Sequence, residues 1–288
     1  MVRFELLEPK NLSEACSLLA EHKEKAKIVA GGQGLLPLLK HRQIVPKYLI
    51  NIKNLLGLEY IDDGGSSLRI GALSTNRAVE ISFLVKQRHP MLSELEQVVG
   101  DIQTRNWGTL VGNLCAASPT SDPAPALIAL GATLKSVSVR GEREVPLEEF
   151  YVDYLKTALE PDEIVTEIDI PDSPPYTGEA YHKERVRMTD SPIASVAAAI
   201  SLDGSDTVTR ARIVLQAVCP TPVRAREAEN LIIGKKVDEP LIDKVAILSA
   251  KAACPISDIY GSAEYKREMV KVVTKQVVTE AIKRAKAT

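Results

Sequence analysis

The sequence predicts an α+β protein in which an α/β first half is followed by an antiparallel sheet with helices packed on it. Three observations predict this. Strands and helices alternate through about the first fifty residues, the signature of βαβ units. A proline cluster, Pro171-Asp172-Ser173-Pro174-Pro175, then interrupts the chain as a linker would. Beyond it the pattern changes to paired strands followed by helices. At 288 residues the chain also fits two domains of about 100–200 residues each.

In order, residues 4–7 form a short strand that Pro9 ends, and Asn11 or Ser13 caps a helix over 14–22 with Ala15, Leu18 and Leu19 on its apolar face. A strand over 26–30 is broken by Gly31-Gly32-Gln33-Gly34. Residues 35–42 are helical, Pro37 being tolerated only in a first turn. A strand covers 48–52, and residues 58–61 and 68–72 form a hairpin around Asp62-Asp63-Gly64-Gly65. Helical patterning covers 75–86 and 91–99. The small and polar residues of 104–122 predict a loop, 123–130 a helix, and 134–139 and 164–170 strands. Past the proline cluster, strands over 196–202 and 211–217 flank Asp203-Gly204-Ser205, and helices cover 224–233, 241–253 and 265–286. The expected division is 1–172, with subdomains of about 1–54 and 55–172, then 177–288.

Composition excludes several functions. Lys+Arg (36) nearly balances Asp+Glu (38), so no strong field exists to hold a nucleic acid. No apolar run reaches the roughly 18 residues of a membrane span, which leaves only peripheral contact with a membrane open. The start MVRFELLEPK has neither a secretory nor a transit pattern, so the chain is expected in the cytoplasm. Cys16, Cys115, Cys219 and Cys254 lie far apart, and so do His22, His41, His89 and His182. Neither set has metal-ligand spacing, so no metal or iron–sulfur centre is expected on this chain.

Two segments carry chemistry. In Ile28-Val29-Ala30-Gly31-Gly32-Gln33-Gly34-Leu35-Leu36, glycines stand between a strand and a helix, where backbone N–H groups can converge on an anion. No Gly-Lys-Ser/Thr follows, and Pro37 occupies the third glycine position of a GxGxxG pattern, so a phosphate cradle and a plain tight turn both remain open. The second segment, from Arg105 to Asp122, has short hydrogen-bonding side chains that suit wrapping a polar ligand. Asp122 before Pro123 fits a helix cap as well as a ligand contact. His182 fits a strand edge better than a catalytic base. Lys266, Arg267, Lys271, Lys275, Lys283, Arg284 and Lys286 fit a solvated helix face or a partner contact, and Ser262 fits the cap of that helix.

Together, Ala30-Gly31-Gly32-Gln33-Gly34-Leu35-Leu36-Pro37, Ile70-Gly71-Ala72-Leu73-Ser74-Thr75, and Arg105-Asn106-x-Gly-Thr-x-x-Gly-Asn-Leu followed by Ala-Ser-Pro-x-Ser-Asp resemble the FAD-binding medium subunit of molybdenum hydroxylases. That family includes xanthine dehydrogenase and aerobic carbon monoxide dehydrogenase, and the AGGQ-x-LLP form is nearest the latter. The likeness continues through Thr221-Pro222-Val223-Arg224-Ala225 and Gly261-Ser262-Ala263-Glu264-Tyr265-Lys266-Arg267.

The resemblance implies a vanillyl-alcohol-oxidase (PCMH-type) FAD fold of two α/β subdomains, followed by a C-terminal antiparallel sheet plus helices. It implies that Ala30, Gly31, Gly32, Gln33, Gly34 and Leu35 hold the FAD pyrophosphate. Thr109, Gly112, Asn113, Ser118 and Asp122 would make further contacts. Lys183 matches a family lysine on the strand entering the C-terminal domain, and Ile193 lies where a loop approaches the isoalloxazine. The implied partners are a small [2Fe-2S] subunit and a large molybdopterin subunit, in a dimer of heterotrimers. No catalytic side chain is expected here, since the cofactor carries the chemistry, and the missing cysteine cluster speaks against the hydroxybenzoyl-CoA reductase branch. Gly34 replaces a more usual Ser or Asp, Val111 a common glycine, and Trp107 a charged or small residue; Trp107 fits a packing anchor or a wall of the adenine or flavin pocket. A stand-alone FAD oxidoreductase of the same fold and a non-redox nucleotide-binding module are the alternatives.

Overall fold

In the computed structural model, which describes residues 3–287, the early alternation folds as β1 (Glu5–Leu7), α1 (Leu12–His22), β2 (Ala26–Val29), α2 (Leu35–Lys40) and β3 (Tyr48–Asn51). These strands form a parallel sheet in the order β1-β3-β2. Asn11 caps α1, its side chain accepting from the Glu14 N–H. Parallel pairing puts the carboxyl ends of β2 and β3 at one edge, so the glycine segment after β2 and Lys53 after β3 emerge side by side.

The next elements are β4 (Ile61–Asp63), β5 (Ser67–Gly71), α3 (Asn76–Ile81), α4 (Phe83–Arg88), α5 (Pro90–Glu96), α6 (Ile102–Trp107), α7 (Leu110–Cys115) and α8 (Pro123–Leu130). They continue as β6 (Thr133–Ser138), β7 (Gly141–Pro146), α9 (Leu147–Phe150), β8 (Tyr151–Asp153), β9 (Lys156–Thr157) and β10 (Ile164–Pro171). An antiparallel sheet runs β4-β5-β10-β6-β7, and β8 pairs with β9 apart from it. The chain closes with β11 (Thr177–Glu184), β12 (Ala194–Leu202), β13 (Val208–Gln216), β14 (Val223–Arg224), α10 (Arg226–Ile232), α11 (Glu239–Ala252) and α12 (Ala263–Ala287). Its antiparallel sheet is ordered β11-β12-β13-β14.

Three expectations need correction, and one strand escaped the periodicity. The helix expected over 75–86 is two helices, because Ser82 is extended and its hydroxyl restarts the chain by accepting from the Val85 N–H. The loop expected over 104–122 contains α6 and α7, which Asp101 and Thr109 cap by accepting from Thr104 and Gly112. Those caps override the weak helix propensity of the small residues between them. Strand β11 (TGEAYHKE) was legible only through the resemblance, which put Lys183 on a strand entering the C-terminal domain; its own alternation is masked because polar Glu179 and Lys183 occupy buried positions. Lys266, expected on a solvated face, is 4% exposed and pairs with Asp258 at 2.5 Å. The bend before α12 folds Asp258 back over that turn, beside the Ser262 hydroxyl that accepts from Tyr265. As expected, His182 sits on β11, at the edge of its sheet.

β12 unites the molecule. It is buried at every position, which explains its near-continuous apolar run. Val196, Ala198 and Ile200 pack into the core formed with α10, α11 and α12. On the opposite face, Ala197 and Ala199 join the core that contains Leu114, Leu127 and Ile168. Each such leucine or isoleucine stabilises the fold by about 1.5–3 kcal/mol on burial. Gly178 of β11 lets α12 approach closely: a Cβ there would lie 1.8 Å from the Ala281 carbonyl oxygen. A disulfide between Cys219 and Cys254 ties the end of β13 to the end of α11; a separation of 35 residues gave no spacing signal for it.

Candidate functional site

The glycine segment is a bend whose backbone donors are not used within the chain. Among the described residues, the N–H groups of Gly31, Gly32, Gln33 and Gly34 find no acceptor, while the Gly32 carbonyl accepts from Leu36 at the start of α2. Gly32 has φ +75°, a conformation that glycine adopts without strain. Gly31 is required for a different reason. A Cβ on it would lie 1.9 Å from the backbone carbonyl oxygen of Trp107, so this loop and the end of α6 are in backbone contact.

The second segment is held just as firmly. Thr75 and Thr109 form an isolated bridge in which Asn76 N–H donates to Gly108 O at 2.9 Å and Leu110 N–H to Ser74 O at 3.1 Å. Arg105 on α6 pairs with Glu80 at 2.8 Å, and Asp101 caps the same helix. Further along, Ser121 Oγ donates to Asn113 Oδ1 at 2.9 Å. Gln216 Nε2 and the Ala217 N–H of the C-terminal sheet donate to the Ser118 and Pro119 carbonyls.

Between the two segments lies a cavity of about 370 Å³, lined by Ala30, Gly31, Lys53, Glu59, Thr75, Trp107 and Thr109 among others. Unpaired backbone donors and the Lys53 ammonium make a set that accepts a phosphate anion, with the Glu59 carboxylate in the same lining. The Asn76 Oδ1 atom, buried and without a partner among the described residues, adds an unused acceptor next to Gly108. These residues fit the pyrophosphate and one arm of a dinucleotide.

A second cluster stands at the far end of the second segment. Asp122 precedes α8, but its side chain makes no cap. It pairs instead with Lys183 Nζ at 2.8 Å and accepts from Tyr181 OH at 2.9 Å, all three groups lying at the seam between α8 and β11. Burial pushes the Asp122 carboxyl up from its ordinary range, opposed by Lys183 and the Tyr181 hydrogen bond. Burial, with Asp122 beside it, likewise pushes the Tyr181 phenol well up. A hollow of about 150 Å³ adjoins the cluster, walled by Val98, Tyr181, His182, Lys183 and Arg185.

Glu96 lies close to this cluster, fully buried, and among the described residues neither of its carboxyl oxygens has a hydrogen-bond partner. Burial first, then the charges of Asp122 and Glu80, hold its pKa well above the ordinary value, against the pull of Arg105. The folded chain therefore keeps a proton that the unfolded chain releases above about pH 4.3. Stability falls as pH rises from that value toward the raised one. Glu96→Gln is expected to remove this fall and to stabilise the chain by about 1 kcal/mol or more at neutral pH. Urea midpoints measured against pH check it; equal slopes in variant and parent would contradict it.

Ala30, Gly31, Gly32, Gln33 and Gly34 thus form the first loop, with Leu35 opening α2, and Ala30, Gly31 and Thr109 reach the cavity. Gly112 and Asn113 lie in α7, and Ser118 follows it. Asp122 and Lys183 are brought together but do not line the cavity. Ile193, 3% exposed, returns beside β11 with its N–H donating to Glu184 O. Lys53 and Glu59 were missed by sequence reasoning. Lys53 could have been found from its position after a parallel strand, where α/β sheets place ligands; Glu59 carried no signal. The buried pair His89–Glu179, at 3.2 Å between the α4–α5 turn and β11, was also unforeseen. The described residues contain no group of three or more side chains able to hold a metal ion.

Residues 2–173 match the family model described as the FAD binding domain in molybdopterin dehydrogenase, and residues 179–281 that of the CO dehydrogenase flavoprotein C-terminal domain. The carbon monoxide dehydrogenase medium chain of Afipia carboxidovorans is 33% identical, over 98% of this chain and 98% of its own length. Subunit alpha of the 6-hydroxypseudooxynicotine dehydrogenase complex of Paenarthrobacter nicotinovorans is 31% identical, over 99% of this chain and 96% of that one. Among solved structures, the carbon monoxide dehydrogenase of Hydrogenophaga pseudoflava that lacks the Mo-pyranopterin moiety of its cofactor superimposes with a TM-score of 0.95. Its identity is 33% and the match covers 98% of each chain.

Proposed function

Because the chain belongs to the FAD-binding medium subunits of the molybdopterin dehydrogenase family, we propose that its two loops and the Asp122–Lys183 cluster are the parts of one FAD site. The protein is an oxidoreductase subunit, the FAD-binding electron-transfer component of a molybdenum hydroxylase complex, with a PCMH-type fold and a C-terminal antiparallel sheet plus helices. No helix among the described residues is long and apolar enough to cross a membrane.

In this reading Ala30, Gly31, Gly32, Gln33, Gly34 and Leu35 hold the pyrophosphate through backbone N–H groups, which give fixed donors. Thr109, Gly112, Asn113 and Ser118 line the same path. Asp122 and Lys183 set the flavin end, where Lys183 carries a cation in a water-poor setting, and Ile193 shields it. Bound FAD supplies the electron transfer that no side chain can; this chain binds it, orients it and limits water around it. The [2Fe-2S] and molybdopterin groups belong to a small and a large partner subunit, in a dimer of heterotrimers in the cytoplasm. We read residues 1–172 as the FAD-binding unit, with subdomains of about 1–54 and 55–172, and 177–288 as the C-terminal unit.

The observation that carries this reading is the run of unpaired backbone donors locked against the Trp107 carbonyl at the mouth of the cavity. The absorbance spectrum of the purified chain tests it, with heat-released cofactor identified by chromatography. Peaks near about 370 and 450 nm with released FAD are expected. A chain that binds no FAD, alone or with its partner subunits, would overturn it.

A further inference from the structure

We propose that Trp107 is the stacking platform for the adenine end of the dinucleotide and that Lys53 is the cation its ring face exchanges for the base. The inference rests on the FAD reading above and adds a positioning residue to it. Trp107 is the chain's one tryptophan. The residue is 54% exposed, unusual for so large an aromatic group, and the Lys53 ammonium lies 3.7 Å from its ring centroid.

Isolated exposed aromatic residues are ordinary on protein surfaces, but this one is built into the site. Its own carbonyl oxygen is the atom that forbids a side chain at Gly31, so the ring is anchored to the loop that offers the phosphate donors. Asp101 and the Arg105–Glu80 pair fix the helix that ends in it. Ring and phosphate donors are therefore one preorganised unit.

The direction of the loop assigns the arm. The Gly31 end meets Trp107, whereas the Gly34 end meets Ala116, leading toward Asn113, Ser121 and the Asp122–Lys183 cluster. With a pyrophosphate at the loop's centre, one arm of the dinucleotide points to Lys183 and the other to Trp107. The cavity of about 370 Å³ is at the small end of the roughly 300–1,000 Å³ of ligand sites, so it takes one arm only. Its polar lining beside the ring, Glu59 and Asn106, offers an acceptor and an amide to a base edge or a ribose hydroxyl. An exposed cation over an aromatic ring is worth about 2- to 5-fold in affinity, and a stacked base about 5- to 150-fold. Replacing ammonium by base is therefore favourable, and Lys53 is left available to a phosphate.

The test uses the full chain freed of flavin and ADP as the probe, because ADP carries the base and phosphates without a flavin that would absorb tryptophan emission. ADP is expected to quench the single tryptophan saturably. Trp107→Ala is expected to weaken ADP and FAD binding by about tenfold or more in calorimetry, with FMN affinity unchanged, and Trp107→Phe to recover most of the loss. Unaltered emission with ADP bound, or parental ADP and FAD affinity in Trp107→Ala, overturns the proposal while leaving the FAD site intact. An equal loss for FMN and FAD also overturns it, by placing the ring at the flavin arm. Failure of the parent chain to take up FAD overturns both readings.

Discussion

Replacing Gly31 by alanine is expected to cripple FAD binding while leaving the rest of the fold in place. The added carbon would stand 1.9 Å from the Trp107 carbonyl oxygen and 2.9 Å from Gly108 Cα, well inside the 3.4 Å where ordinary contact begins. All of these obstructing atoms are backbone, so no rotamer relieves the clash and the two loops must part. Overpacking of this kind costs about 1–3 kcal/mol. If that cost falls wholly on the site, it is about a 5- to 150-fold loss in affinity. Gly34→Ala is the control: its new carbon would meet only Ala116 Cβ, at 3.4 Å, and Gly34 has an ordinary helical φ of -83°. Titration of each variant with FAD, followed by absorbance, checks the pair; equal affinities would show that loop contact does not shape the site.

Replacing Lys183 by methionine is expected to destabilise the chain by about 3–5 kcal/mol near neutral pH, because the Asp122 carboxylate is then left buried without its cation. The two side chains are 4% and 7% exposed, so water cannot compensate either one. With Lys183 gone, Asp122 already pushed up by burial loses its principal opposing charge and takes up a proton more readily. That protonation sets the sign of the pH dependence. The penalty is greatest above the raised pKa, where the carboxyl must be charged or stay protonated at a cost, and it shrinks as pH falls toward the ordinary carboxyl value of about 3.9. Asp122→Asn in the Lys183→Met background is expected to recover much of the loss, since neither partner is then a buried ion. Denaturant midpoints of the single and double variants at two pH values check this, and additive losses would contradict a direct pair.

Both substitutions act at features with different visibility in the chain itself. The glycine segment was legible because its cause is local: consecutive glycines after an apolar strand leave backbone donors free whatever packs around them. Ser74, Thr75 and Thr109 were legible as motif members, although the bridge that docks one segment on the other appears only in three dimensions. Helices α6 and α7 were misread because capping by Asp101 and Thr109 outweighed a composition that reads as loop. Strand β11 gave no readable periodicity because both of its faces are packed and polar Glu179 and Lys183 stand at buried positions; only the resemblance put Lys183 on a strand. The Lys266–Asp258 pair and the His89–Glu179 pair join residues whose types alone read as surface charge and scattered histidine.

The sequence by itself determined the early alternation of strands and helices, the change of architecture at the proline cluster and the glycine segment after an apolar strand, because each depends on periodicity or on conformational freedom within a few residues. Tertiary structure alone decided that Trp107 closes on Gly31, that Asp122 serves Lys183 rather than the helix it precedes, and that Glu96 lies buried without a hydrogen-bond partner among the described residues. The physical reason is that close approach, ion pairing and desolvation depend on distances between residues far apart in the chain. Packing sets those distances, and β12 sets them here by sealing both cores at once.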